Sequence, residues 1–206
     1  MSVHFFAKKI LASAAAFAFV LWGLLGVATP VTGQVQTAVE YFALCCTTWD
    51  YDIKYFVASF PDEIAALDEG AFGGAWQRTG ETFNVWSSPA GGALPTCRFF
   101  NTTFGTHFYT PYAVECAGLQ ANPTWHWQYE GIAFYLQVPD GNGNCPINTT
   151  VLYRLYNNGM GGAPIHRVTT SAAVFNDMLA AGWVFEGDGR TFAFACVPLS
   201  TAPSMS

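Results

Sequence analysis

The 206-residue chain is 51 % hydrophobic, 17 % aromatic and only 11 % charged. That is ample apolar surface to offset the entropy of ordering, so the composition excludes a disordered chain. A formal net charge of −6 excludes a nucleic-acid partner, because phosphate binding needs clustered Lys and Arg.

At the N-terminus, Lys8 and Lys9 form a positive segment, and Ile10 to Ala28 follows without a charge. Pro30 breaks the run, and Val31-Thr32-Gly33 leads into Gln34. This is the pattern of a secretory signal peptide over residues 1–33, cleaved near Gln34; an uncleaved anchor is the alternative, because the run just reaches bilayer-spanning length. The expected location is secreted or periplasmic, with membrane attachment only if the leader is retained. With the two leader lysines set apart, six basic residues face fourteen acidic ones, which leaves no basic stripe for a duplex or an anionic lipid surface. All six cysteines lie beyond the leader, with no C-x-x-C and no His pair at ligand spacing. A disulfide framework is expected, and neither a metal nor a cofactor.

Three similar stretches follow. The first, about 38–87, opens with Val39-Glu40-Tyr41-Phe42, continues through Tyr55-Phe56-Val57 and a helix containing Leu67, and closes with Trp76 to Gly80 and Phe83. The second, about 96–138, runs from Cys97 through His107-Phe108-Tyr109-Thr110 and a helix with Glu115 and Leu119 to Trp127-Gln128-Tyr129-Glu130-Gly131. The third, about 151–198, has Tyr153-Arg154-Leu155-Tyr156, His166-Arg167-Val168, a helix at Met178, then Trp183 to Gly187 and Phe192. Tyr55 to Leu67, His107 to Leu119 and His166 to Met178 are each twelve apart, and each Trp precedes its Gly by four. The expected architecture is α+β and mostly β. Three strand-strand-helix-strand repeats pack with pseudo-threefold symmetry in one domain over 34–199, with a frayed tail at 200–206. Trp76, Trp127 and Trp183 are expected to be buried at equivalent places.

The helices carry start and stop signals: Pro61-Asp62-Glu63, Ser171 as a cap, and Gly182 as a terminator. Gly80, Gly131 and Gly187 mark bulges or close backbone approaches. If each unit is compact, its helix folds back on its own strands, which pairs Cys97 with Cys116; its ends meet, which pairs Cys145 with Cys196. Cys45 and Cys46 are left as a mutual pair, free, or linked between chains.

His107-Phe108-Tyr109-Thr110 followed by Tyr129-Glu130-Gly131-Ile132-Ala133-Phe134-Tyr135 resembles the signature of a bacterial repeat family of unknown function. Pro61 to Leu67 and Trp76 to Gly80 resemble that family's N-terminal variant, so the resemblance covers about residues 38–198. The third stretch departs from it, with Arg167-Val168 in place of two aromatics, and the first lacks the His. Members occur alone or at the ends of exported lysozymes and peptidases. The resemblance implies an accessory or surface module that binds glycan or cell-wall material.

No catalytic constellation is present: there is no G-x-S-x-G elbow and no H-E-x-x-H. His107 and His166 recur at equivalent positions, which suits a structural hydrogen bond or a polar ring in a ligand pocket. Glu130 and Glu186 also recur, with Thr79 in their place in the first stretch, and Arg98 and Arg154 are their expected partners. Asp140 to Asn144 starts like a calcium loop, but Cys145 replaces the required Gly, so it reads as a turn. Trp125-His126-Trp127 is the candidate sugar-stacking patch, with Trp127 in the core and Trp125 and His126 exposed. The ligand-binding candidates are therefore His107, Tyr109, Trp125, His126, Glu130, His166 and Glu186. The expected function is a non-enzymatic extracytoplasmic binding module for carbohydrate or cell-wall polymer. The alternatives are a glycoside or cell-wall hydrolase using Glu130 and Glu186, and a structural envelope protein.

Overall fold

The computed structural model describes residues 33–44 and 53–199. The expected leader, Cys45, Cys46 and the tail at 200–206 lie outside the described residues. Among the described residues the order is β1 (Val35–Leu44), β2 (Ile53–Ala58), α1 (Pro61–Asp68), β3 (Trp76–Trp86), β4 (Leu94–Asn101), β5 (Thr106–Thr110), α2 (Ala113–Ala121), β6 (Trp127–Leu136), β7 (Thr149–Tyr156), β8 (His166–Thr169), α3 (Ala172–Ala180), β9 (Val184–Phe185) and β10 (Ala195–Pro198). None of these helices is long and apolar enough to cross a membrane.

The pseudo-threefold array is not what the chain forms. Strands of the first two stretches share one antiparallel six-stranded sheet, in the order β2-β1-β3-β6-β4-β5. The third stretch makes a separate sheet, β10-β7-β8, with its closing segment split so that β9 pairs β7 separately. Similar strand motifs fix which face of each strand is buried, but not which edges meet. Here β3 and β6 join through a single pair, Trp86 with Tyr135, while Gln137 bridges to Cys196 in the other sheet. The three tryptophans do not occupy equivalent buried sites either. Each is partly exposed: Trp76 packs on Phe56 and His107, Trp127 on Phe108, and Trp183 edge-on to Tyr55.

Both sheets contribute to one core. Tyr41, Phe56, Leu67, Phe83 and Phe134 meet Leu152, Val168 and Phe194. Tyr109 locks β5 to β2, since its hydroxyl bonds both the N–H and the carbonyl of Val57 at 3.0 Å. The helices begin as their residues dictate. Pro61 occupies the first turn of α1, and the Ser171 hydroxyl accepts from the Val174 N–H at 3.3 Å to cap α3. Gly131, at φ 113°, sits where the register of β6 against β4 shifts, a bulge that aims Glu130 at β4. Gly187 serves close approach: a Cβ there would stand 2.7 Å from the Phe192 carbonyl oxygen.

Among the described residues two disulfides clip the fold. Cys97–Cys116 ties β4 to α2 with Cα atoms 6.1 Å apart, and Cys145–Cys196 ties the turn before β7 to β10 at 5.6 Å. They close sequence separations of 19 and 51 residues. Chain-entropy arithmetic gives about 3 and about 4 kcal/mol respectively. In urea titrations, Cys145→Ser/Cys196→Ser should therefore lose more stability than Cys97→Ser/Cys116→Ser. The reverse order would show that strain or residual structure outweighs loop length.

Candidate functional site

Two arginines on central strands organise the polar side chains. Arg98 on β4 holds Glu63 of α1 through Nη1, at 2.9 and 3.0 Å, and its Nε lies 3.0 Å from Glu130 of β6. The Glu130 Oε2 is 3.5 Å from His107 Nε2, and Phe56 lies against the guanidinium with its ring centre 5.1 Å away. Arg154 on β7 repeats this set with different neighbours. Its Nη1 and Nη2 donate to Glu115 of α2 at 2.9 Å each, and its Nε is 2.9 Å from Glu186. The Glu186 Oε2 is 3.4 Å from His166 Nε2. Phe108 and Phe194 flank this guanidinium, with ring centres at 4.8 and 4.1 Å. The Arg154 contact to Glu186 Oε2 is close in distance but poorly aligned for hydrogen bonding, so its attraction is mainly charge. The expected pairs of Arg98 with Glu130 and Arg154 with Glu186 are present. Glu63 and Glu115 complete the sets from the third position of α1 and of α2, a placement readable from the helix starts. The third helix has Val174 there.

The carboxylates respond differently to these surroundings. Burial raises the Glu130 carboxyl above its ordinary value, against the lowering charge of Arg98. Burial also works to raise Glu186 and Glu115. His166 and Arg154 outweigh it at Glu186, and the Arg154 bonds outweigh it at Glu115, so both end below their ordinary values. Opposed shifts are what an acid/base pair uses. Glu130 and Glu186, however, hold different arginines, and Glu130 does not line the opening that Glu186 lines.

That opening is a cleft of ≈ 380 Å³ beside the second arginine. Trp125 faces it from the short turn before β6, Trp127 from the first residue of β6, Gly118 and Leu119 from α2, and Tyr156 and His166 from the third stretch. Its polar groups are Glu115, Arg154, His166 and Glu186. Trp125 is 55 % exposed. A larger opening of ≈ 460 Å³ lies between Tyr55, Met178 and Trp183. Its Arg167 is held by Glu40, and none of the expected ligand residues lines it.

Of the expected ligand residues, the cleft thus gathers Trp125, His166 and Glu186. Tyr109 is a core residue, because its hydroxyl is consumed by Val57. His107 is buried among Phe56, Phe100 and Trp76. His126 is exposed at a left-handed turn, φ 63°, and does not line the cleft. Trp127, expected in the core, is half-buried and forms part of the cleft wall. Asp140 makes the expected turn, accepting from the N–H groups of Asn142 and Asn144 at 2.8 Å. Among the described residues no His, Cys, Asp and Glu cluster is arranged to hold a metal ion.

Searches of curated proteins and of solved structures found no match. Residues 63–191 match a family described as a domain of unknown function, DUF5648. The matched span lies within residues 38–198 and stops short of that range at each end. It covers more than half of the chain, and the protein belongs to the DUF5648 family.

Proposed function

We propose that this protein is an extracytoplasmic binding module whose cleft beside Arg154 takes a carbohydrate or a cell-wall glycan. The observation that carries this reading is that the exposed Trp125 indole shares one cleft with Trp127, Tyr156 and the polar groups Glu115, Arg154, His166 and Glu186. Sugars are bound in this way: an aromatic face takes the C–H face of the ring, and side chains fixed by other bonds meet the hydroxyls. Glu115 and Glu186 are fixed by Arg154, so they need no reordering when a ligand arrives. Two disulfides suit an oxidising compartment, which agrees with the leader-like first segment. The module works without turnover in this reading, because the raised and lowered carboxylates, Glu130 and Glu186, belong to separate clusters.

The test is a pull-down on insoluble chitin, cellulose and peptidoglycan, run beside a reducing-sugar assay. Retention without sugar release is expected, with a loss of about tenfold or more in affinity for Trp125→Ala, as for other aromatic anchors. Trp125→Phe should recover part of it. Sugar release that disappears in Glu186→Gln would replace this reading with hydrolysis. Retention unaffected by Trp125→Ala would move the site elsewhere.

A further inference from the structure

The charges of the cleft narrow the saccharide class. Among the described residues Arg154 is the one guanidinium or ammonium group lining it, and that group is fully engaged. Glu115 takes both terminal nitrogens and Glu186 stands against Nε. Phe108 and Phe194 cover the guanidinium, and only 6 % of the side chain reaches solvent. The carboxylates are far more open, at 38 % for Glu115 and 29 % for Glu186. Glu186 Oε2 is buried against Arg154 and His166, so the reachable oxygen of that carboxylate is Oε1. Among the described residues, a ligand entering beside Trp125 and Tyr156 therefore meets carboxylates and aromatic faces, with the Arg154 guanidinium covered and His166 Nε2 facing Glu186. Both features favour a positive charge: carboxylates by Coulomb attraction, aromatic rings by their negative faces. An anionic ligand is opposed by both.

We infer that the cleft selects saccharides carrying a free primary amine, 2-amino-2-deoxyhexose units, over their N-acetylated or acidic counterparts. This rests on the carbohydrate reading above. The sugar ring stacks on Trp125, and its ammonium donates to Glu186 Oε1. N-acetylation removes the charge and adds bulk at that position. A uronic acid carries the wrong sign.

Calorimetric titration of the protein at about pH 6 with β-1,4-linked tetramers of glucosamine, N-acetylglucosamine and glucuronic acid tests it, with tetralysine as a charge control. The glucosamine tetramer should bind roughly tenfold more tightly than the N-acetylated one, a difference of about 1.4 kcal/mol, and the acidic tetramer should not bind. The preference should shrink in Glu186→Gln and, in the unaltered protein, as salt is raised. If the N-acetylated tetramer binds as well as or better than the amine, the selectivity is wrong and the carbohydrate site stands. Tetralysine binding as tightly as glucosamine would reduce the effect to the protein's net charge of −6 and overturn the inference. If none of the sugars binds, the carbohydrate reading itself fails.

Discussion

Arg167→Leu should destabilise the protein by about 3–5 kcal/mol, because it strands a buried carboxylate. Glu40 is 0 % exposed, and Arg167 closes on it with Nε and Nη2 at 2.9 and 2.7 Å. The pair joins β1 to β8, and so one sheet to the other, across 127 residues of sequence. The Tyr55 ring supports the guanidinium from 4.4 Å. Removing either charge alone leaves the other in a low-dielectric site, and the penalty is mostly desolvation rather than lost attraction. Glu40→Leu/Arg167→Leu should therefore recover much of the loss. Urea unfolding of the single and double variants checks this, and a double variant as unstable as the sum of the singles would show that the two residues act independently.

Acid should destabilise the fold well above the carboxylate range, through His107. Its ring is 9 % exposed, packed by Phe56 at 4.5 Å and Phe100 at 5.1 Å, and its Nδ1 is buried without a partner. Burial, with the charges of Arg98 and Lys54, pushes its pKa down to about 3, from an ordinary value of 6.5. The unfolded chain takes up this proton as pH falls through the ordinary value, and the folded one does not until near the depressed value. Stability from His107 is thus complete above the ordinary value and is lost progressively on acidification, by at most about 1.4 kcal/mol per pH unit. Glu186 and Glu115, held below their ordinary values, add losses of the same sign at lower pH, while Glu130, held above its own, works the other way. Between about pH 6.5 and pH 4.5 the unfolding free energy should drop by roughly 2–3 kcal/mol. His107→Gln should flatten most of that slope. An equal slope in the variant would place the acid sensitivity in other groups.

What the sequence made legible was local. The disulfide partners followed from where each cysteine falls on its strand or helix, and the Arg98 and Arg154 pairs from acids at matching positions before Gly131 and Gly187. The sheet arrangement was not legible, because strand periodicity specifies faces and leaves the choice of edge to tertiary packing. Resemblance between stretches therefore suggested three equal units where the chain builds a six-stranded sheet and a separate smaller one. The pairing of Glu40 with Arg167 was not legible for another reason. Arg167 stands where an aromatic was expected, and its partner lies in the first strand, so no spacing links them. Within the site, Tyr109 looked like a ligand group because it is polar and His107 because it is polar and recurs at His166, yet both are held in the interior. Trp127 was expected in the core and instead helps form the cleft.

The opening beside Trp125 is the proposed binding site. Gly118 offers a direct way to test it. This helical residue lines the cleft, and a Cβ built there meets nothing within 4 Å. Gly118→Tyr should fill the opening with little cost to the fold. NMR titration of the labelled protein with chitin-derived tetramers, amine and N-acetylated, should shift the Trp125 and Trp127 indole signals and leave Trp183 unmoved, and Gly118→Tyr should abolish those shifts. Shifts at Trp183 and Tyr55 that persist in Gly118→Tyr would contradict binding beside Trp125 and assign it to the larger opening.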